Sequence, residues 1–501
     1  MPHSPVVIGV DSSTQSTKAL FVDATDGRTL AVGRSPHRVD GSAGARETDP
    51  EQWWQALREA VAMGLKESGV PASAVTGIAV AAQQHGLVAL GRDRRPLRPA
   101  LLWNDTRSAA QAAALVAALG GPRAWTDPTG SVPVAAVTAA KWRWLCENEP
   151  STAARCTAVR LPHDFLTERL TGVAVTDPGD ASGTGWYSTA TAAYDPELLQ
   201  LLRLAPELLP TVAPTGGTRV GTLTTGAADA LGLPSTVVVA AGTGDNMSAA
   251  VGLGLGGAGL LDHPVLSLGT SGTVFAATRA RPATPALSGF AATDGSHLPL
   301  ACTLNCTLAV DRVATLLGLD RDDAEPGGEA VLLPYLDGER TPDLPAASGL
   351  LTGLRHTTTP RQLLGAAYEG AAVTVLRALD EVLRACGLDP ASPAVAERPL
   401  RLIGGGAQGR SWVETVRRLS GRPVILPTGT EVVAVGAAAL AASAVLGTDP
   451  VALARAWGAG TGPELPPLER DLATWERVGS VIESATPALF GPGGVTDPGS
   501  G

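Results

Sequence analysis

In VVVAAGTGDNMSAAVGLG (237–254) an apolar strand runs into Gly242-Thr243-Gly244, and Asp245 follows at the head of a helix of small residues. A carboxylate so placed, with glycines letting a ligand approach the backbone, suits a general base at the mouth of a cleft. The same pattern suits an ordinary N-cap aspartate that serves only its helix. Asp245 lies where two α/β halves of the chain meet in sequence, which favours the functional reading.

Three turns could take a polyphosphate. PVVIGVDSSTQSTKALFVDA (5–24) sets two β-forming runs around a turn holding Asp11, Lys18 and a cluster of hydroxyls. A plain hairpin turn wants Asn-Gly or Asp-Gly instead. Asp11 could hold Mg2+ through water, while Thr14, Ser16, Thr17, Lys18 and backbone N–H groups meet phosphate oxygens. SLGTSG (267–272) offers Gly269, Gly272, Thr270 and Ser271, and Gly404–Gly406 precede a helix whose N-terminus favours negative charge. Each turn alone also fits tight packing, but two of them sit on matching hairpins. No G-x-x-x-x-G-K-[ST] loop, G-x-S-x-G elbow or His/Cys metal cluster is present. The glycines at 252–257 do not follow a strand in the register of a dinucleotide fingerprint.

Two polar interruptions of apolar runs suit a polyhydroxylated ligand. Gln83-Gln84-His85-Gly86 breaks a strand-like segment with adjacent amide and imidazole groups, and LLWNDTRS (101–108) adds Trp103, Asn104, Asp105 and Arg107. Asp105 and Arg107 fit a structural ion pair equally well, and a lone histidine is often structural.

These residues need elements to hold them. The opening hairpin is followed by a third strand at 29–39 and by a helix from TDPEQWW, with Asp49 as N-cap, Pro50 at the first helical position and Gln52 closing a capping box. Trp53, Leu57, Val61 and Leu65 recur at helical spacing and face the core. Residues 76–90 read as two strands around the Gln83–Gly86 break, and 107–119 and 138–148 as helices in which Trp142 and Trp144 pack. A second α/β unit begins near 254: 263–278 repeats strand, hydroxyl-glycine turn and strand, and 398–427 gives strand, glycine turn, helix and strand. Val432–Gly447 is an uncharged run too short to span a bilayer and reads as a buried helix. The domain division expected is 1–253, 254–485 and a mobile tail at 486–501.

The chain of 501 residues carries a formal charge of −10, 44% apolar and 17% charged residues. That composition is globular and argues against a nucleic-acid partner. Only Lys18, Lys66 and Lys141 supply lysine among 38 basic residues, which makes a lysine in a motif noticeable. Five scattered cysteines, without a C-x-x-C pair, read as free thiols of a reducing compartment. Cys302 and Cys306 are expected on one helix face, with no partners to complete a zinc set. The N-terminus shows no signal-peptide pattern, and the expectation is a cytoplasmic protein that does not enter a membrane.

With these residues in view, the chain resembles the FGGY carbohydrate kinases over about residues 5 to 445. IGVDSSTQSTKALFVD resembles the family's phosphate hairpin, GIAVAAQQHGLVAL and LLWNDTRS its sugar-binding segments, and AAGTGDNMSAAVG its catalytic-aspartate motif. SLGTSGTVFA, YLDGERTP (335–342) and LIGGGAQGRSW follow in the family's order. TAAKWRWLCEN (138–148) and GLLTGLRHTTTPRQLLGAAYEG (349–370) are similar to signatures of the branch that phosphorylates D-xylulose.

The resemblance implies an α/β fold of duplicated ribonuclease-H-like, actin-type ATPase domains flanking an interdomain cleft, with ATP and Mg2+ as cofactors. It makes Asp245 the base and, with Asp11, a metal residue. Thr14, Thr17 and Lys18 surround Asp11, Gly269 and Thr270 take phosphate, and Gly405, Gly406 and Ala407 border the adenosine. Gln83, Gln84, His85, Trp103, Asn104 and Asp245 would line the sugar. It also implies a homodimer. Two departures stand out: Gln84 replaces a methionine common in the branch, and Ser13 replaces a frequent glycine. The expected reaction is phosphorylation of the terminal 5-hydroxyl of D-xylulose. Rivals are a family member acting on ribulose, ribitol, gluconate or glycerol, and a non-catalytic nucleotide-dependent sugar sensor.

Overall fold

The computed structural model of the protein describes residues 4–256, 264–336, 338–342, 344 and 347–489. Positions 490–501 of the expected tail, Asp337 of YLDGERTP and Gly257 lie outside the described residues. The chain divides into two compact units. One comprises Met1–Leu260, Ala277–Pro299 and Glu431–Gly460, the other Leu261–Ala276, Leu300–Thr430 and Thr461–Gly501.

In the first unit, Val6–Ser12 pairs antiparallel with Ser16–Asp23, which pairs with Thr29–Pro36. On its other side Val6–Ser12 runs parallel to Val75–Ala82, and that strand runs parallel to both Val238–Ala240 and Thr243–Gly244. Arg219–Thr222 adds an antiparallel edge. Parallel strands covered on both faces need continuous apolar runs, which VVIGV and IAVAA supply.

The Pro50–Ser68 helix covers one face of this sheet. Asp49 caps it by accepting the Glu51 N–H, and Trp53, Leu57 and Val61 enter a core with Ile8, Phe21, Ile78 and Val80, Leu65 packing at its margin. Gln52 does not close the expected capping box. Its Oε1 accepts the Arg38 N–H at 3.1 Å, because the chain leaving the third strand passes within reach of the helix start.

On the other face lies the helix Val432–Leu446, the buried apolar helix expected there. Ala434, Ala438, Leu440 and Ala441 pack on Val7, Leu20, Val22, Ala79 and Ala240. Small residues are required because the backbones nearly touch: a Cβ on Gly9 would sit 2.0 Å from the Ala434 carbonyl oxygen. Among the described residues no single helix is long and apolar enough to cross a membrane.

The helices at Ala109–Leu119 and Thr138–Asn148 stand as expected, the first beginning two residues later than the pattern placed it. Trp142 is buried and donates to the Leu202 carbonyl at 3.2 Å. Trp144 lies beneath the Arg107 guanidinium, 4.6 Å from its ring centre. Lys141 is fully buried and donates to the Ala135 and Ala136 carbonyls, so it ties the helix to the turn that leads into it.

The second unit repeats the plan. Val265–Leu268 and Gly272–Phe275 form an antiparallel hairpin, and the latter pairs with His297–Thr303. Val265–Leu268 also runs parallel to Leu400–Ile403, which runs parallel to Val424–Ile425, with Glu464–Leu465 antiparallel beyond it. Strand for strand this is the order of the first unit, the duplicated ribonuclease-H-like layout of an actin-type fold. All five cysteines are free thiols. Cys302 and Cys306 do not share a helix face. Cys302 lies in the strand His297–Thr303 and Cys306 is the N-cap of Thr307–Leu317, since the chain changes element between them.

Candidate active site

Three neighbouring strands of the first unit deliver the polar residues to one end of the sheet. Asp11 and Thr243 both lie level with Ala81, and Ser12 and Gly244 level with Ala82, on the two sides of the strand that leads into Gln83-Gln84-His85. This is the carboxyl end of the parallel strands, where open α/β sheets bind ligands. Asp245 follows Gly244 as the first residue of the helix Asp245–Gly252, with Gly244 as N-cap. The ordinary N-cap role is therefore not the one Asp245 fills.

The Asp245 carboxylate is only partly covered, and its Oδ1 accepts the Asn246 N–H at 2.8 Å and Asn246 Nδ2 at 3.2 Å. Burial, then the charges of Asp11 and Asp180, push its pKa up to about 7. A carboxylate poised there accepts a proton far better than an ordinary one. Asp11 is 5% exposed, and its Oδ1 is buried without a hydrogen-bond partner. Burial raises its pKa against the pull of Lys18, whose Nζ is 3.4 Å from Asp11 Oδ2 and 2.5 Å from Glu431 Oε2.

The hairpin turn closes through Ser13 N–H and Oγ, which both donate to the Ser16 carbonyl. Ser13 is outside the left-handed region, which explains why no glycine is needed there. Thr17 is fully buried with its hydroxyl 3.0 Å from Ser12 Oγ, so that side chain serves the hairpin's own bonding. Thr14 keeps some surface, and its Oγ1 accepts the Trp103 indole N–H at 3.0 Å.

Trp103 is 43% exposed, and the following turn is held by Asp105. That buried carboxylate accepts the backbone N–H groups of Arg46 and Arg107 and pairs with the Arg107 guanidinium at 2.6 Å. Asp105 and Arg107 thus form the structural ion pair, and they fix the backbone that presents Trp103 and Asn104. Asn104 Oδ1 and Gln83 Oε1 are buried without partners, two acceptors available to a ligand. His85 has φ +65, a strained value for a residue with a Cβ. Its Nδ1 is 2.7 Å from the Gly183 carbonyl, so Nδ1 carries the proton, and its ring packs on Phe290 at 5.7 Å.

Behind these residues lies a buried group that the motifs did not reveal. His163 Nδ1 meets Asp180 Oδ2 at 2.6 Å, His163 Nε2 is 3.3 Å from Asp164 Oδ1, and Thr243 Oγ1 donates to Asp177 Oδ2 at 2.8 Å. All four ionisable groups are almost wholly inaccessible. Burial raises the Asp164 and Asp177 carboxyls to about 6 and Asp180 well above its ordinary value. The density of aspartate, glycine and hydroxyl in VTDPGDASGTG (175–185) was the available signal.

In the second unit, the turn Leu268–Gly272 is fastened to the start of the Thr307–Leu317 helix. Thr307 N–H and Oγ1 donate to the Gly269 carbonyl and Cys306 N–H to that of Thr270, leaving the Thr270 side chain exposed. Glu339 braces this junction by accepting the N–H groups of Leu304 and Asn305 and the Asn305 amide. Gly405–Gln408 forms a single helical turn before Arg410–Ser420. A Cβ on Gly406 would sit 2.7 Å from Leu268 Cβ, so Gly406 and Ala407 pack inward, while Gly405 faces open space.

The N-terminal domain of the FGGY family of carbohydrate kinases matches residues 6–252, and its C-terminal domain residues 265–445. The chain is 55% identical over 491 residues to the xylulose kinase of Streptomyces coelicolor, covering 97% of this chain and 98% of that one. It is 54% identical, with the same coverage, to the xylulose kinase of Streptomyces rubiginosus. It is similar to the solved structure of xylulose kinase from Bifidobacterium adolescentis, with a TM-score of 0.80, 31% identity and coverage of 96% and 99%.

Proposed function

Because the chain belongs to the FGGY family of carbohydrate kinases, we propose that it transfers the γ-phosphoryl group of ATP to the terminal 5-hydroxyl of D-xylulose. Asp245 is the general base. The observation that carries the chemistry is its placement: a partly accessible carboxylate, raised to about 7, at the head of a helix that follows Gly244. The sugar is drawn from the likeness along nearly the whole chain to two xylulose kinases.

A sugar hydroxyl is a weak nucleophile. Asp245 accepts its proton as the oxygen attacks phosphorus, and the rest of catalysis is positioning and charge neutralisation. Lys18 and Thr14, with the N–H groups of their turn, meet phosphate oxygens, and Thr17 keeps that turn in shape through Ser12. Gln83, His85, Trp103 and Asn104 present acceptors, donors and an indole face to the sugar. The bond from His85 Nδ1 to the Gly183 carbonyl fixes the orientation of the ring. In the second unit Gly269 and Thr270 contact phosphate, and the turn Gly405-Gly406-Ala407 borders the adenosine through Gly405, while Gly406 and Ala407 hold the turn from inside.

The residues fit a magnesium ion. Asp11 offers a buried Oδ1 without a partner, and this hard cation takes one or two carboxylates with waters and phosphate oxygens. Held by Asp11 with Asp245 beside it, the ion would neutralise phosphate charge.

The deciding experiment measures ADP release with Mg2+-ATP and a panel of D-xylulose, ribulose, ribitol, gluconate and glycerol. Fastest turnover with D-xylulose is expected. A different preferred sugar overturns the substrate, and wild-type turnover by Asp245→Asn overturns the base.

A further inference from the structure

Gln84 was expected to touch the sugar, but its side chain is already committed. It is 3% exposed, and its Oε1 accepts Asn246 Nδ2 at 2.8 Å. The same Asn246 nitrogen lies 3.2 Å from Asp245 Oδ1, so its two protons serve Gln84 and Asp245 together. With Oε1 engaged in this way, the orientation of the Gln84 amide is fixed and Nε2 points to the other side.

That nitrogen and Asp180 Oδ1 are both buried with no other partner, and burial raises the Asp180 carboxyl against the pull of the Gln84 amide, so the two face each other. Both groups border Gly244. A Cβ added there would lie 2.6 Å from Gln84 Cγ and 3.1 Å from Asp180 Oδ1. Asp180 is itself anchored by His163 at 2.6 Å. A line of polar groups therefore runs from the buried Asp180–His163 pair, past Gln84 and Asn246, to the carboxylate of Asp245.

We propose that the Gln84 side chain is a positioning group that sets the orientation of Asp245 through Asn246 and does not itself read the sugar. The proposal rests on the reading of Asp245 as the base. Gln84 takes one Asn246 proton and thereby directs the other at Asp245 Oδ1, which leaves Oδ2 to meet the substrate hydroxyl. A methionine at 84 has no comparable acceptor, so Asn246 and Asp245 gain freedom. Loss of orientation costs rate without costing sugar affinity, and a misplacement of about 1 Å is enough to cost up to roughly 10²-fold.

The test is a double-mutant cycle on the full chain with Gln84→Met and Asn246→Ala, with Gln84→Leu as a second apolar variant should one not fold. kcat and KM are measured with D-xylulose, and sugar affinity is measured separately by calorimetry. Gln84→Met is expected to lower kcat about tenfold while affinity changes less than about threefold. In the Asn246→Ala background it is expected to cost nothing more. Multiplicative losses, an unchanged kcat, or an affinity loss equal to the rate loss would each overturn the proposal. No sugar-dependent turnover in the unmutated chain would instead overturn the kinase reading and this inference with it.

Discussion

Glu431 holds the Lys18 ammonium at 2.5 Å, closer than Asp11, which lies 3.4 Å from the same nitrogen. Lys18 therefore does not fully neutralise Asp11, and the aspartate keeps a lone oxygen for a cation. Replacing Glu431 by Gln releases Lys18 to Asp11. The expected result is a requirement for about threefold to tenfold more Mg2+, the scale of a charge interaction of about 1 kcal/mol, with KM for the sugar unchanged. Turnover measured against Mg2+ concentration checks this.

The raised carboxyl of Asp245 sets a pH dependence. A general base works only when unprotonated, so kcat/KM for the sugar is expected to rise with pH through about 7. Burial is the first cause of that value and the charge of Asp11 the second. Asp11→Asn removes a repelling charge and is expected to move the limb to lower pH in whatever activity survives. Asp245→Asn is expected to lose about 10²–10⁴-fold in rate. A pH–rate profile of each protein decides both points.

Stability should respond to pH through the buried carboxyls. Asp164 and Asp177 have folded values of about 6, above their ordinary value, so the folded state binds protons that the unfolded chain releases. Their contribution is fully present below the unfolded value near 4 and is lost as pH rises through about 6. Asp164→Asn removes one such group. Urea midpoints between pH 4 and 6 are expected to fall less steeply for this variant than for the unmutated chain.

Helix contact behind the base sets a packing limit. The Asp245–Gly252 helix crosses Val432–Leu446 at Gly436, where a Cβ would lie 1.8 Å from the Ser248 carbonyl oxygen, and at Gly252, where it would lie 1.9 Å from that of Val432. Gly436→Val is expected to destabilise the protein by about 1–3 kcal/mol and to lower kcat, since the helix that bears Asp245 must shift. Thermal melting and turnover of the variant test the two effects.

Local chemistry was legible in the chain where it depends on neighbours in sequence. Asp49-Pro50 starts a helix, VVIGV forms a doubly covered strand, and Asp245 heads a helix after a glycine turn, each from a short window. Relations across distance were not legible. Gln52 has the right spacing for a capping box, but the chain beyond the third strand brings the Arg38 N–H within 3.1 Å of its Oε1. Cys302 and Cys306 have helical spacing, yet a strand ends between them. Nothing local in His163 or Asp180 announces that the fold brings them within 2.6 Å of each other beneath the site.

The Val432–Leu446 helix covers a face made by residues that leave the ribosome much earlier. Val7, Leu20, Val22, Ala79 and Ala240 are translated first, and Ala434, Ala438, Leu440 and Ala441 arrive to cover them only later. At about 5–20 residues per second, that interval is on the order of 10–40 s. Through it the nascent chain carries an uncovered apolar sheet face, the kind of surface that chaperones bind during synthesis.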